Sequence, residues 1–343
     1  MKSAKTIYPI ARTHGLRPHL LEPEDFVRLL RTKNMVEMVD LLMKTEYASE
    51  LSEIPTEEVD ADHLERIFYQ TLSDRFAFLL MITGGKIKEA LEEYYRRIEV
   101  ENIKRILRAK HGKEDISESQ LLPYQRKYQE ANLQVMLKTG TVTEAISLLK
   151  ETIYSAVAER IDLYEKYSSP LVLEAHLDKS YYSSLWKHLR KLVDNERVKE
   201  LVGTEIDLKN ILYVLSFKFM KMERELPEAI IDIRYKLPRD LSQIIIAADF
   251  GAVPEILMWP SYVQLARKTI ALFEEKKLVE AEQAFYQYLC SFSESLMLEN
   301  PNNLVYVFAY LQLCVREQRN LVALAVGKQL RMEEGKIQSL LFL

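Results

Sequence analysis

Apolar residues recur at three- and four-residue steps along most of the chain, which is the period of amphipathic α-helices. Near the N-terminus, Phe26, Leu29 and Leu30 follow Pro23 and two acidic residues, a composition typical of a first helical turn. The same spacing restarts at Met35. The pattern therefore predicts a pair of short amphipathic helices in this region.

Short polar side chains indicate further helix starts. A capping box places such a side chain three residues before a Glu or Gln. The candidate boxes are Asp62 with Glu65, Ser117 with Gln120, and Thr141 with Glu144. Asn300 followed by Pro301 predicts one more start.

Strand signals are weak by comparison. No alternating apolar and polar run is flanked by Asn-Gly or Asp-Gly turns. The segment AIIDIRYKL (229–237) alternates only briefly, and QIIIAADF (243–250), although rich in isoleucine, is assigned to a helix. Only 9 Gly and 11 Pro occur among 343 residues, so helices should be long and rarely broken. We predict an all-α protein.

A short segment that ends in tyrosine occurs three times. Its copies are DLLMKTEY (40–47), SLLKETIY (147–154) and EILMWPSY (255–262). The tyrosines are separated by 107 residues (47 to 154) and 108 residues (154 to 262). Such even spacing indicates three copies of one unit.

A second landmark follows each tyrosine at a nearly constant distance. The helix ENIKRILRAK (101–110) returns as RNLVALAVGK (319–328), which aligns Asn102 with Asn320. In the second copy we align Asp207 with Asn102, so that Val214 and Leu215 replace the terminal Ala-Lys. The three landmarks lie 55, 53 and 58 residues after their tyrosines. Aromatic pairs lie between the landmarks: Phe68-Tyr69, Tyr181-Tyr182 and Phe285-Tyr286.

The period of this repeat predicts the domain organisation. It is far longer than the roughly 20 to 50 residues of solenoid repeats, so each copy should be a helical bundle of domain size. The predicted bundles are residues 1–125, 126–236 and 237–343. Three similar bundles can close into a pseudo-threefold ring or funnel, or can lie in an open arc.

Charge and cysteine content limit the classes of function. Lys and Arg total 47 against 51 Asp and Glu, so no basic excess indicates nucleic-acid binding. Cys290 and Cys314 match no metal or redox spacing, and we predict two buried thiols in a reducing compartment. The most apolar run, 304–315, is shorter than the ~20 residues of a membrane span, and no secretory signal is recognisable. We expect a chain that does not cross a membrane by itself.

The motifs indicate no catalytic, metal or cofactor site. None of the six histidines (His14, His19, His63, His111, His176 and His188) forms the His-Glu-x-x-His pair of a zinc site. TGGK (83–86) is typical of a turn between helices, because it lacks the Ser or Thr that would hold magnesium. Glu174 and Asp178, beside Lys179, are interpreted as a solvated helix face.

One cluster of cations is the candidate partner-binding site. In the helix 101–110, Ile103, Ile106 and Leu107 form the predicted buried stripe, while Lys104, Arg105 and Arg108 project elsewhere. These cations could bind an acidic loop of a partner, or could form an ordinary solvated surface. Aromatic stripes such as EEYYRRIEV are interpreted as packing.

Several segments together carry a resemblance to a known family. YPIARTHGLRPHLLEPEDFVRLLRTKNMVEMVDLLMKTEYASEL resembles the opening of the C subunits of archaeal-type rotary ATP synthases, the counterparts of the d subunits of eukaryotic vacuolar proton pumps. VLEAHLDKSYYSSL and EIDLKNIL are similar to the second bundle of that family, and REQRNLVALAVGK to the third. The resemblance covers nearly the whole chain in the right order. Trp259-Pro260, where the first copy has Lys44-Thr45, departs from threefold equivalence.

The resemblance implies a function without covalent chemistry. It implies a funnel of three bundles on the cytoplasmic face of the membrane, seated on the proteolipid ring and receiving the central axle, which the D and F subunits form. Such a protein would transmit torque and would bind no cofactor, small-molecule substrate or nucleic acid. Two alternatives stay open: a helical scaffold that binds proteins outside any ATPase, and an enzyme with a site between bundles.

Overall fold

The computed structural model describes residues 4–52 and 59–343. Within these ranges no strand occurs, and the all-α prediction is confirmed there. The α-helices are α1 (Ala4–Leu16), α2 (Pro23–Leu30), α3 (Met35–Leu42), α4 (Ala48–Leu51), α5 (Ala61–Ile82), α6 (Gly85–Tyr95), α7 (Arg97–Gly112), α8 (Leu133–Leu137), α9 (Val142–Ser147), α10 (Ser155–Ala158), α11 (Ile161–Tyr167), α12 (Leu171–Leu189), α13 (Glu196–Phe219), α14 (Leu226–Ala229), α15 (Leu241–Ala247), α16 (Val253–Ile256), α17 (Pro260–Glu274), α18 (Leu278–Glu299), α19 (Val305–Gln329) and α20 (Glu334–Ser339).

The predicted pair of short helices is confirmed as α2 and α3. Pro23 is the first residue of α2, where its missing N–H costs no hydrogen bond. A reciprocal capping box of Glu22 and Asp25 closes this end. Asn34 caps α3 by accepting the amide of Glu37 at 3.0 Å.

The other predicted starts have mixed outcomes. The capping boxes at Ser117 and Thr141 are both present. The prediction at Asp62 is wrong, because α5 is capped by Asp60, which accepts the amide of His63 at 2.8 Å. The start predicted at Asn300 is also misplaced: residues 300–304 form a turn, and α19 begins at Val305.

The remaining local predictions concern a turn and two apolar runs. Thr83 and Gly84 of TGGK join α5 to α6, which begins at Gly85 with φ 56°, a conformation that glycine adopts without steric cost. QIIIAADF contributes to α15, as predicted. The run from Ala229 ends a helix and continues as irregular backbone rather than as a strand.

The chain divides into two compact units. Unit 1 consists of Met1–Lys88 and Tyr286–Leu343, and unit 2 consists of Glu89–Phe285. In unit 1, α5 and α19 run antiparallel: the amide of Ala61 donates to Gln329 at 2.5 Å, while Arg75 lies 2.7 Å from Glu317. Their apolar faces enclose a core with α2, α3 and α20. The first unit is therefore built from both ends of the chain.

Unit 2 is organised around α7, α12 and α13. Arg97 of α7 lies 3.3 Å from Glu205 of α13, and its guanidinium covers the ring of Tyr94 at 3.7 Å. The short helices α8 to α11 follow α7 in the sequence, and the short helices α14 to α16, with the longer α17, follow α13. Because the polar side chains between the long helices are buried, they need partners inside the unit.

Two further predictions can be compared with the described residues. Cys290 and Cys314 are both buried free thiols, as predicted. Within residues 4–52 and 59–343, no helix has the length and apolar character that a membrane span requires.

Candidate partner-binding site and buried polar clusters

The three predicted cations of α7 have different surroundings in unit 2. Lys104 is buried, with its ammonium 2.6 Å from Asp178 on α12. The guanidinium of Arg105 donates to the carbonyl of Gln120 at 3.1 Å. Arg108 is half exposed. The expectation that all three project away from the buried stripe is therefore wrong for Lys104.

Lys104 belongs to a buried ionic cluster with Asp178, Lys209 and Tyr213. Lys209 lies 3.4 Å from the same carboxylate, and the Tyr213 hydroxyl donates to it. Burial disfavours ionisation of Asp178, but the two ammonium groups and these hydrogen bonds outweigh that cost and lower its pKa to about 2. The interpretation of Asp178 as part of a solvated helix face is thus corrected.

Arg108 forms a bidentate ion pair near the surface of α7. Its Nε and Nη2 donate to both carboxylate oxygens of Glu174 at 2.6 and 2.7 Å, and Nη1 lies 3.3 Å from Glu101. Such bidentate geometry is stronger than a single contact. Arg108 therefore joins α7 to α12, and its half-exposed side chain still reaches solvent.

A second set of polar side chains recurs on three long helices. An acid, an asparagine three residues later and a lysine eight residues after that form cluster A (Glu317, Asn320, Lys328), cluster B (Glu99, Asn102, Lys110) and cluster C (Asp207, Asn210, Lys218). Their acids and asparagines are buried. Cluster A lies in unit 1, and clusters B and C lie in unit 2.

Each acid accepts hydrogen bonds from a tyrosine and from one or two loop amides. Glu317 accepts from Tyr47 at 2.6 Å and from the amide of Leu21 at 2.5 Å. Glu99 accepts from Tyr154 at 2.9 Å and from two consecutive amides, at 130 and 131. Burial raises the pKa of Glu99, against the lowering effect of these donors.

Cluster C repeats this arrangement with a shorter acid. Asp207 accepts the amides of Tyr235 at 3.0 Å and Lys236 at 2.6 Å. The hydroxyl of Tyr262 lies 3.4 Å away. Burial is the main cause that raises the pKa of Asp207 to about 6, and the hydrogen bonds oppose it.

Each asparagine pairs with both backbone groups of one residue, and Asn210 also donates to the carbonyl of Ile233 at 3.3 Å. Asn102 donates to the carbonyl of Leu122 at 2.9 Å and accepts its amide at 2.7 Å. Asn210 forms the same pair with Ile231, and Asn320 with Phe342. A side-chain amide satisfies both groups of an irregular segment, which would otherwise be buried without partners.

Each lysine binds carbonyls at or near the end of a short helix. Lys110 donates to Leu137 at 2.8 Å, at the end of α8, and Lys218 donates to Ile245 of α15 at 2.8 Å. Lys328 donates to Leu30 at 3.2 Å, at the end of α2. Cations are favourable there because helix C-termini expose unpaired carbonyls.

These contacts correct the alignment of the second landmark. Asn210, not Asp207, has the role of Asn102 and Asn320, so the alignment was out of register by three residues. Lys218 makes the contact that the second copy was expected to have lost. The signal that could have shown this is the shared spacing of acid, asparagine and lysine, which is visible in the sequence.

The described residues contain no group of three His, Cys, Asp or Glu side chains arranged to hold a metal ion. The polar clusters instead hold irregular segments against long helices.

Comparison with known proteins extends this description. The family model of the ATP synthase (C/AC39) subunit matches residues 9–340. The chain belongs to this family.

Relatives of the C/AC39 family match along almost the whole chain. The C subunit of the A-type ATP synthase of Methanocaldococcus jannaschii is 25% identical over 97% of this chain and 85% of its own length. The protein of the same name from Methanosarcina acetivorans is 24% identical over 96% and 91%. That from Haloquadratum walsbyi is 22% identical over 96% of each chain. The resemblance seen in the sequence motifs is thus confirmed.

Proposed function

We propose that this chain is the non-catalytic rotor subunit of a rotary ATP synthase or ATPase. It links the central axle, formed by the D and F subunits, to the membrane proteolipid ring, and it transmits torque between them. The observation that carries the proposal is the family match over residues 9–340, together with relatives named as the C subunit of A-type ATP synthases. On this proposal the chain lies at the cytoplasmic face of the membrane, held there through the ring.

The proposal includes an internal triplication of one helical bundle. Clusters A, B and C support it, because the same side-chain types at the same spacing make matching contacts. The boundaries after residues 125 and 236 stay a prediction. The clusters support a grouping of each long helix with the segment that follows it in the sequence. In this grouping, α19 also belongs with the N-terminal segment. A pseudo-threefold funnel of these bundles is part of the same proposal.

Buried polar clusters suit a protein that carries torque. A side-chain hydrogen bond to a buried backbone group is costly to break, because the group left behind loses its partner without gaining water. The clusters therefore resist movement of the loop segments against α7, α13 and α19. Stiffness between partners is what transmission of torque requires.

The cationic face of α7 is proposed as a partner contact. Arg108 and Arg105 lie nearest to solvent, whereas Lys104 is the buried anchor that fixes α7 against α12. An acidic loop of another ATPase component could share the guanidinium of Arg108 with Glu174. Interface charges of this kind mainly affect association rate and specificity.

Native purification tests the rotor assignment. The tagged chain is isolated from gently solubilised membranes, and its partners are identified by mass spectrometry. We expect the proteolipid and the D and F subunits of the axle to co-purify and to stay bound at moderate salt. Recovery from the cytosol without any ATPase component would favour a helical scaffold with other partners.

Charge reversal tests the proposed contact on α7 separately. Arg108→Glu should weaken retention of one ATPase component, and its difference from the unmodified chain should shrink as salt rises, because salt screens exposed charges. The matched control is Arg126→Glu, because Arg126 is exposed and pairs only with Glu118 at 3.3 Å among the contacts described. Equal retention by both variants would remove α7 from the interface and leave the rotor assignment standing.

A further inference from the structure

Cluster C lacks an ion pair that the other two clusters have. The guanidinium of Arg75 lies 2.7 Å from Glu317, and that of Arg96 lies 3.8 Å from Glu99. Among the residues that the structure describes, no lysine or arginine side chain forms an ion pair with Asp207. The charge of Arg234 lowers the pKa of Asp207 without an ion pair between them.

The acid of cluster C is also one methylene shorter than its counterparts. The Tyr262 hydroxyl is 3.4 Å from the Asp207 carboxylate, against 2.6 Å for Tyr47 and Glu317. A contact of 3.4 Å is near the outer limit of a hydrogen bond. Two loop amides are thus the main close partners of this carboxylate.

We propose that segment 230–237 is a pH-dependent conformational element of unit 2: it is held against α13 when Asp207 is protonated and loosens when Asp207 is ionised. Asn210 holds the backbone of Ile231 and donates to the carbonyl of Ile233, and Asp207 accepts the amides of Tyr235 and Lys236. At the surface, Lys179 of α12 pairs with Asp232 of the segment at 3.1 Å. Of the two acids in these contacts, Asp207 is the buried one, and Asp232 is exposed.

The physical basis is the cost of burying an unpaired charge. An ionised carboxylate without a counter-ion is much less stable inside a protein than in water, so either the group binds a proton or the structure opens. Asp207 is fully buried, and its pKa is raised to about 6. A raised pKa means that protonated Asp207 stabilises the state in which the segment is held against α13. This stabilisation is complete below the ordinary pKa of an aspartate and is lost as pH rises through 6.

The groups that face Asp207 do not reverse this direction. From α17 the Tyr262 hydroxyl faces it, and from the segment itself the side chains of Arg234 and Tyr235 do. Burial lowers the pKa of Arg234, whose guanidinium donates to the carbonyl of Ile231. None of these described neighbours forms an ion pair with Asp207.

Loosening of the segment would change an exposed surface. The Lys236 ammonium lies 4.7 Å from the ring centre of Trp259 and 5.4 Å from that of Tyr235. Both rings are partly exposed. Movement of residues 235 and 236 separates these groups, so Trp259 reports on the element. Trp259 is part of the Trp259-Pro260 pair that stands where the first copy has Lys44-Thr45, and its contact with Lys236 gives this tryptophan a role.

Hydrogen–deuterium exchange of the full chain between pH 5 and pH 8 tests the proposal. After correction for the intrinsic rate, protection of the amides at 235 and 236 should fall by about 10-fold between pH 5 and pH 8, since a pKa of about 6 lies one unit above the starting pH. The Leu21 amide, held by the ion-paired Glu317, is the internal reference and should change far less. Equal loss at both places, or no loss at 235 and 236, overturns the proposal.

Two variants separate titration of Asp207 from other effects. Asp207→Asn should abolish the pH dependence at these amides, and an unchanged dependence would assign it to another group. Arg234→Gln removes a facing cation and should move the midpoint to higher pH; a midpoint that stays or falls contradicts the model. In a Trp186→Phe background, the fluorescence of Trp259 should follow the same midpoint as the exchange.

Discussion

The hydroxyl of Tyr47 donates a 2.6 Å hydrogen bond to Glu317, a residue 270 positions away in the sequence. Both residues lie in unit 1: Glu317 is on α19, and Tyr47 directly precedes α4. Glu317 also holds the amide of Leu21 and the guanidinium of Arg75. One buried carboxylate thus joins the first and last segments of the chain, and this contact can form only after most of the chain has been synthesised.

Removing the charge of Glu317 should destabilise unit 1. Glu317→Gln leaves the buried Arg75 with Glu46 as its remaining ionic partner, and we expect a loss of about 3 kcal/mol in the free energy of unfolding. Urea unfolding followed by circular dichroism measures this. Glu118→Gln, in the exposed pair with Arg126, should change stability by less than ~0.5 kcal/mol. Similar midpoints for both variants would contradict the assigned role.

The asparagines of the three clusters should be equally sensitive. Asn102→Ala removes two hydrogen bonds and leaves the amide and carbonyl of Leu122 buried without partners, at a cost of about 2 kcal/mol. Asn210→Ala and Asn320→Ala should have similar costs, measured by the same urea titration. Truncation of the exposed Gln243 to alanine is the control. A cost at only one of the three positions would argue against equivalent clusters.

The ionic cluster of Lys104 should make stability depend on pH below neutrality. The pKa of Asp178 is lowered to about 2, so its ionised form stabilises the fold above the ordinary pKa of an aspartate, and this is lost as pH falls towards 2. The contribution is about 2 kcal/mol at pH 7. In Asp178→Asn, the free energy of unfolding measured with urea should depend less steeply on pH between pH 2 and pH 7. A slope identical to that of the unmodified chain would exclude Asp178 as its source.

Close packing at Gly203 gives a steric prediction. A Cβ atom there would lie 2.7 Å from Cγ of Tyr235, so Gly203→Ala should push segment 230–237 away from α13. We expect a net loss of about 1 to 2 kcal/mol, because overpacking outweighs the gain in helix propensity. Gly335→Ala in α20, where no atom lies within 4 Å, is the matched control and should be neutral or slightly stabilising. Thermal unfolding distinguishes the two.

Local features followed closely from the sequence. The starts of α2 and α3 and the boxes at Ser117 and Thr141 depend on neighbouring residues alone, so their patterns were sufficient. The cap of α5 was displaced by two residues because Asp60 and Asp62 are both suitable acceptors. Which of them caps depends on where the chain enters the helix.

The candidate site was only partly accessible to sequence reasoning. The three cations lie on α7, and their role in partner binding stays a prediction. The burial of Lys104 depends on Asp178, which α12 supplies from 74 residues away. A charged side chain can be buried only where another element supplies its counter-ion. No pattern within α7 contains that information.

The sequence by itself determined the helical periods, the even spacing of Tyr47, Tyr154 and Tyr262, and the family, because each is a property of residue order. Only the tertiary structure decided which tyrosine meets which acid. Tyr154 meets Glu99, which precedes it, whereas Tyr47 meets Glu317, near the other end of the chain. Spacing along a chain records repetition, but partnership depends on where the chain returns in space, and that is decided by packing of the long helices.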